Sequence, residues 1–160
     1  MNIRIGYGYD VHQLAEGKNL YLGGIKIPHT KGCVAHSDGD VLIHAICDAL
    51  LGAAALRDIG YHFPDTDQKY KNIDSKILLE KTMNILSKEG YSLVNLDSTI
   101  CLQKPKIKDH IPEMISTLSQ ILQTNESNVS VKATTTEKLG FVGREEGISA
   151  HAMVLIQKLD

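Results

Sequence analysis

The chain is predicted to fold as α/β, in an α+β two-layer sandwich with a mixed β-sheet and three helices packed on one face. Three observations support this. Strand-like apolar runs are interspersed with three stretches of helical periodicity. Gly23-Gly24 separates two short apolar pieces, which reads as a hairpin and makes the sheet other than purely parallel. No repeat, low-complexity segment or linker interrupts the 160 residues, so residues 1–160 read as one domain with length enough for a real core.

Taken in order, Ile3-Arg4-Ile5-Gly6-Tyr7 alternates as a strand does and leads into Gly8-Tyr9-Asp10-Val11-His12. Polar residues 13–19 follow. Leu20-Tyr21-Leu22 and Ile25-Lys26-Ile27 flank the glycine pair, and residues 29–34 read as a loop. Ala35-His36-Ser37-Asp38-Gly39-Asp40 then leads into a helix over 41–56. Ser37 or Asp38 caps it, with Asp40 three residues after Ser37 as in a capping box. Val41, Leu42, Ala45, Ile46, Ala49, Leu50 and Ala53 form its wide apolar face, and its Ala-rich end permits close packing against another element.

Residues 57–71, with Asp58-Ile59-Gly60 and Phe63-Pro64-Asp65-Thr66-Asp67, read as an irregular loop. Asp74-Ser75 caps a second helix that Gly90 ends. A strand over 91–102 follows, and Pro105 precedes a third helix over 107–122. Residues 129–133 form a strand running into the hydroxyl- and glycine-rich loop 134–144, and 148–158 closes the sheet. The face of the sheet without helices must be polar or buried against something else, which favours an oligomer.

Composition narrows the function classes. A net charge of -2 and an absence of Trp give no electrostatic or stacking case for nucleic acid. No apolar run approaches the roughly 18 residues that span a bilayer, so no membrane partner is expected. Cys33, Cys47 and Cys101 are far apart and odd in number, which fits reduced, partly buried thiols rather than a disulfide framework. With no signal-peptide pattern at the N-terminus, a cytoplasmic location is the expectation.

Asp10 and His12 lie two residues apart on a strand and so share a face, where a carboxylate and an imidazole make a ligand pair for zinc or a similar cation. His44 lies one turn after Asp40 and one before Asp48 on the first helix and is the candidate third ligand. Three ligands would leave a tetrahedral site one open position for a phosphate oxygen. His36, at the approach to the helix, suits phosphate contact. Thr134, Thr135 and Thr136 can hold a phosphate after a strand, and Glu137 adds a hard oxygen ligand suited to Mg2+. Lys104, Lys106 and Lys108 form a modest basic cluster around Pro105. No GxSxG, Cys–His arrangement or Walker lysine loop is present.

Together, Gly8-Tyr9-Asp10-Val11-His12, Ala35-His36-Ser37-Asp38-Gly39-Asp40-Val41, Asp58-Ile59-Gly60, Phe63-Pro64-Asp65-Thr66-Asp67 and the stretch from Lys132 through Thr135 and Glu137 to Phe141 resemble one family. It is that of the 2-C-methyl-D-erythritol 2,4-cyclodiphosphate synthases, of the non-mevalonate route to isoprenoid precursors. The resemblance runs from about residue 2 to residue 158. It implies a lyase that cyclises 4-diphosphocytidyl-2-C-methyl-D-erythritol 2-phosphate and releases CMP, in a homotrimer with active sites between subunits.

Position by position, the resemblance implies that Asp10, His12 and His44 bind one zinc per subunit, and that Glu137 holds a second metal, Mg2+ or Mn2+, on the diphosphate. His36 and Thr135 would stabilise the reacting phosphates, with Val11, Ser37, Thr134 and Thr136 beside them. Asp58 would contact ribose, with Ile59 and Gly60 next to it. Leu102, Gln103, Lys104, Pro105, Lys106, Ile107 and Lys108 would surround cytosine and its phosphate. Phe63, Pro64, Asp65, Thr66 and Asp67 would line the methylerythritol side, with Phe141 and Arg144 nearby. Tyr9 stands where other members can have Phe, and His151 where some carry Glu. The competing readings are a metal-dependent phosphoesterase acting through a water, and a nucleotide-binding module without catalysis.

Overall fold

The computed structural model describes residues 2–159. Its order is β1 (Ile3–Glu16), β2 (Leu20–Leu22), β3 (Ile25–Ile27), β4 (Lys31–Val34), α1 (Val41–Ala53), α2 (Ile59–His62), α3 (Ser75–Lys88), β5 (Tyr91–Cys101), α4 (Ile111–Ile121), β6 (Val129–Thr134), α5 (Gly140–Gly143) and β7 (Gly147–Lys158). Short 3-10 turns occupy Gln68–Tyr70, Lys108–His110 and Glu126–Asn128. The main sheet has five strands in the order β4-β1-β7-β5-β6, while β2 and β3 form a separate hairpin across Gly23-Gly24. Only β5 and β6 are parallel, as a crossover through α4 requires, so the sheet is mixed as expected.

Helix α1 sits at the centre. Its side chains are buried nearly all the way round, packed on β1 and β7 on one side and α3 on the other. Gly6 and Gly8 make this approach possible. A β-carbon placed on Gly6 would lie 1.9 Å from the carbonyl oxygen of Ala49, and one on Gly8 would lie 1.9 Å from that of Ala45. Two residues of strand advance about 6.8 Å and four residues of helix about 6 Å, so the glycines and alanines stay in step. Continuing the ladder toward the C-terminal end of β1 brings Asp10 and His12 level with the first turn of α1, where His44 lies.

Several boundaries differ from the sequence expectation. β1 runs on through the polar residues to Glu16, because Gln13–Glu16 pairs with β4, a strand in the stretch read as a loop. The N-cap of α1 is Asp40, rather than Ser37 or Asp38: its carboxylate accepts from Ile43 N–H at 3.0 Å. The same carboxylate also accepts from the backbone N–H groups of Gly23 at 3.0 Å and Gly24 at 2.7 Å, so one fully buried group caps the helix and closes the hairpin. Helix α1 ends at Ala53 instead of residue 56 despite the alanines, since Ala55 and Arg57 turn to positive φ (61° and 72°). The segment 57–71 contains two capped turns, with Asp58 accepting from Tyr61 N–H and Asp67 from Lys69 N–H. The third helix opens with a 3-10 turn, and its α-helical part starts at Ile111 with Pro112 in the first turn, where a missing N–H costs nothing.

Helices α1, α3 and α4 cover one face of the sheet. The other face leaves Ile3, Ile5, Tyr7, Tyr9 and Val11 of β1, and Met153 of β7, exposed. Among the described residues no helix is long and apolar enough to cross a membrane.

The helix–strand contact makes a paired expectation for urea melts at one protein concentration. Gly8→Ala should lower the unfolding free energy by about 3 kcal/mol, because backbone must move to admit the methyl. Gly52→Ala, whose methyl meets open space on α1, should raise it by about 0.5–1 kcal/mol. Equal, small effects would contradict the contact.

Candidate active site

Asp10 and His12 project from the helix-facing side of β1, and His44 projects toward them from α1. Asp10 Oδ2 lies 3.0 Å from both His12 Nε2 and His44 Nδ1, and the two nitrogens are 3.1 Å apart. Three potential ligand atoms therefore form a nearly equilateral triangle. A tetrahedral ion with nitrogen and oxygen ligands at about 2.0–2.1 Å sets its donor atoms about 3.3 Å apart, so the triangle suits such an ion with little movement. Two imidazoles and a carboxylate are also the borderline donor set that zinc takes.

The surroundings favour a cation. Burial pushes the Asp10 carboxyl up, but hydrogen bonds and charge from His12 and His44 outweigh it and hold the group well below the usual carboxylate range. Burial alone would lower His44, yet Asp10 beside it holds the ring above the ordinary histidine range. The Cys33 thiol is pushed up to about 12, first by burial and then by the nearby carboxylates Asp40, Asp10 and Asp38. Cys47 also rises to about 12, mainly through burial. Neither thiol is a nucleophile near neutral pH.

His12, His36, Ser37 and His44 open onto a cavity of about 450 Å³ whose far wall includes Ile59, Gly60, Phe63 and Asp65. His36 Nε2 is buried there with no hydrogen-bond partner in the protein, so it is available to a group in the cavity. Ser37 Oγ lies 3.2 Å from His44 Nε2. The backbone carbonyl of His36 accepts from Asn72 N–H at 2.7 Å, and Asp48 on α1 accepts from Ile59 N–H at 2.8 Å. These two bonds fasten the segment carrying Ile59, Gly60 and Phe63 over the triad. Tyr70, Ile73 and Leu78 also line the cavity and were not singled out in the sequence; the Phe63 and Tyr70 rings meet edge to face at 5.6 Å.

A second, smaller cavity of about 170 Å³ is lined by Leu102, Gln103, Pro105, Lys106, Ile107 and Lys108 on one side and Ala133, Thr134 and Thr135 on the other. The basic cluster and the threonine loop are therefore neighbours, because β5 and β6 run parallel and end together. The two cavities share no lining residue.

Other expected site residues lie outside both walls. The Val11 side chain is on the opposite, exposed face of β1 from the triad. Asp58 caps α2, and Asp67 pairs with Lys69 at 2.9 Å. Pro64 and Thr66 belong to neither lining. Lys104 pairs with Glu145 at 3.2 Å, and Arg144 pairs with Glu146 through two bonds of 3.0 Å. The Thr136 hydroxyl donates to Leu139 O. Glu137 is exposed and accepts from the Thr135 hydroxyl at 3.3 Å, next to the second cavity. Phe141 packs over Gly147, close to the backbone carbonyl of His12.

A family model described as the YgbB family matches residues 3–157. A 2-C-methyl-D-erythritol 2,4-cyclodiphosphate synthase of Bacteroides thetaiotaomicron is 61% identical over 158 residues, covering 99% of each chain. One of Parabacteroides distasonis is 62% identical over 159 residues, again covering 99% of each. Among solved structures, the bifunctional IspDF of Campylobacter jejuni superposes with a TM-score of 0.95 at 46% identity over 99% of this chain, which spans 43% of that protein. The CDP complex of IspF from Plasmodium falciparum superposes with a TM-score of 0.87 at 37% identity, over 99% of this chain and 98% of that one. By these matches the chain belongs to the YgbB family, the family of the 2-C-methyl-D-erythritol 2,4-cyclodiphosphate synthases.

Proposed function

We propose that the chain converts 4-diphosphocytidyl-2-C-methyl-D-erythritol 2-phosphate into 2-C-methyl-D-erythritol 2,4-cyclodiphosphate and CMP, in the synthesis of isoprenoid precursors. The observation that carries this reading is the Asp10–His12–His44 triangle at the mouth of the cavity that holds the unpartnered His36 nitrogen. Full-length identity to synthases and the CDP bound in a relative support it.

In the proposed reaction an oxygen of the 2-phosphate forms a bond to the β-phosphorus. The bond from that phosphorus to the oxygen bridging the α-phosphate breaks, its electron pair stays on that oxygen, and CMP leaves. No water is consumed. The attacking phosphate is ionised near neutral pH, so no strong protein base is needed, and the work is positioning and charge stabilisation. Asp10, His12 and His44 would hold one zinc per subunit, and Glu137 would hold Mg2+ or Mn2+ together with the diphosphate, as a hard ion that keeps several non-protein ligands does. When bound, these cations supply positive charge to the phosphate oxygens.

The chain's own groups divide the substrate between them. His36 Nε2 and the Thr135 hydroxyl donate to the reacting phosphates. Lys106 and Lys108 hold the phosphate of the leaving CMP, while Leu102, Pro105 and Ile107 give the cytosine an apolar wall. Asp58 contacts ribose. Ile59, Gly60, Phe63 and Asp65 enclose the methylerythritol and exclude water. Holding the two phosphates face to face makes the attack intramolecular, an effect worth up to about 7–11 kcal/mol of barrier.

One substrate thus needs both cavities, which are separate in one chain. The exposed apolar stripe of Ile3, Ile5, Tyr7, Tyr9, Val11 and Met153 is a surface that another copy would cover. We propose a homotrimer in which the triad cavity of one subunit faces the Lys106–Thr135 cavity of the next.

Two experiments test these points. Phosphorus NMR of the purified protein with the diphosphocytidyl substrate, zinc and Mg2+ in oxygen-18 water should show the cyclic diphosphate and CMP, with no label in either product. An open-chain, labelled phosphate would show hydrolysis instead. For the shared site, His44→Ala and Lys106→Ala should each be nearly inactive alone. When the two chains are co-expressed, about a quarter of the sites in randomly mixed trimers would unite intact halves, and activity should recover to about that level. No recovery in verified mixed trimers would place the whole site within one chain.

A further inference from the structure

We infer that Gln103 is a positioning residue, whose side chain clamps the loop after β6 in the conformation that presents the Thr135 hydroxyl to the second cavity. This rests on the roles proposed for Thr135 and Glu137 and deepens them.

The parallel strands β5 and β6 leave the sheet together. Cys101 pairs with Thr134, and Leu102 N–H donates to Thr134 O at 2.9 Å. Gln103 is the next residue on one side, while the other chain turns through Thr135-Thr136-Glu137-Lys138. That turn is unfavourable by itself. Glu137 and Lys138 are consecutive residues with β-carbons, yet their φ angles are 53° and 64°, in the left-handed region that such residues disfavour. A backbone of this kind persists only where its surroundings hold it.

Most of the hydrogen bonds there are internal. Thr135 Oγ1 accepts from Glu137 N–H at 3.3 Å, Leu139 N–H donates to Thr136 O at 2.9 Å, and the Thr136 hydroxyl donates to Leu139 O at 2.7 Å. These bonds would move with the loop. Lys138 N–H instead donates to Gln103 Oε1 at 3.2 Å. Among the described residues, it is the one hydrogen bond by which residues 135–139 reach beyond 134–143. The bonded N–H belongs to the peptide that joins Glu137 to Lys138, so the clamp fixes the Glu137 backbone. The Thr135 hydroxyl, which meets both the Glu137 N–H and its Oε1 at 3.3 Å, is held in turn.

Gln103 also lines the second cavity, so direct contact with a ligand is the competing role. The two roles differ in what they change. Full-length wild type is compared with Gln103→Met, which matches glutamine in length without a strong acceptor, and with Gln103→Glu, which keeps an oxygen in the same place. Amide hydrogen exchange, resolved by NMR on the protein without substrate, reads the clamp. Turnover by phosphorus NMR and CMP binding by calorimetry read its consequence.

Lys138 N–H should exchange about 10-fold faster in Gln103→Met and within about 2-fold of the wild-type rate in Gln103→Glu. The kcat of Gln103→Met should fall about 10-fold, since displacing a positioned group by about 1 Å costs up to about 100-fold. CMP affinity should stay within about 2-fold, because Lys106, Lys108 and the apolar wall are untouched. Asn128→Ala, which removes an amide bond to Thr124 Oγ1 at 2.9 Å and borders neither cavity, should change none of these readings. Equal Lys138 exchange in wild type and Gln103→Met, or CMP affinity that falls in step with kcat, overturns the assignment. A wild type that forms no cyclic diphosphate overturns the proposed reaction instead, a result distinguishable because exchange is read without substrate.

Discussion

The site depends on how closely α1 lies against β1. At Gly6 and Gly8 the strand presents no side chain, and the carbonyl oxygens of Ala49 and Ala45 occupy the space where β-carbons would be. A larger residue at either position would lift the helix off the strand. Two residues beyond Gly8, the side chains resume as Asp10 and then His12, both facing the same helix. His44 follows from the adjacent Ala45 by one position. The glycines thus bring a helix histidine within hydrogen-bond distance of two strand residues without a loop having to reach across. Rigid elements hold ligand atoms more closely to one geometry than loops do.

Other contacts tie the rest of the site to this pair. Asp40 caps α1 and closes the β2–β3 hairpin with the same carboxylate, which fixes where the helix begins and so where His44 stands. One turn past His44, Asp48 takes the N–H of Ile59 and fastens the cavity's far wall to α1. In this way α1 presents a candidate metal ligand, an anchor for the covering segment and a cap within successive turns. The Lys106–Thr135 cavity stands apart from that system. It is built where β5 and β6, parallel neighbours, end side by side, and it shares no lining residue with the triad cavity.

The parts legible in the sequence are those carried by local pattern. Strand alternation placed Asp10 and His12 on one face, and the periodicity after Asp40 gave a helix bearing His44. Gly23-Gly24 identified the hairpin. Partnership was harder to read. β4 is only Lys31–Val34 and has no apolar alternation of its own; it is a strand because Gln13–Glu16 lies beside it. Asp40, read from the sequence as the capping-box partner of Ser37, takes the role of cap itself because the hairpin supplies two further N–H groups to its carboxylate. Ser75 read as a helix cap, and nothing near it in sequence indicates that its hydroxyl meets His44. The same holds for Tyr70 and Ile73, placed in the cavity wall by folding of the 57–73 segment back over α1, and for Leu78, which reaches it from α3. Val11 shows the converse: it sits inside the motif, yet alternation sends its side chain to the outer face.

Three side chains brought together by the helix–strand contact are proposed to form a metal centre. X-ray absorption at the zinc edge on the purified, unsupplemented protein tests it most directly. The expected spectrum has a first shell of nitrogen and oxygen only, at about 2.0–2.1 Å, with the multiple scattering of two imidazoles. It should show about one zinc per chain, falling to background in a variant with Asp10, His12 and His44 all replaced by alanine. A sulfur ligand at about 2.3 Å, or zinc that persists in the triple variant, would exclude a metal centre at Asp10, His12 and His44.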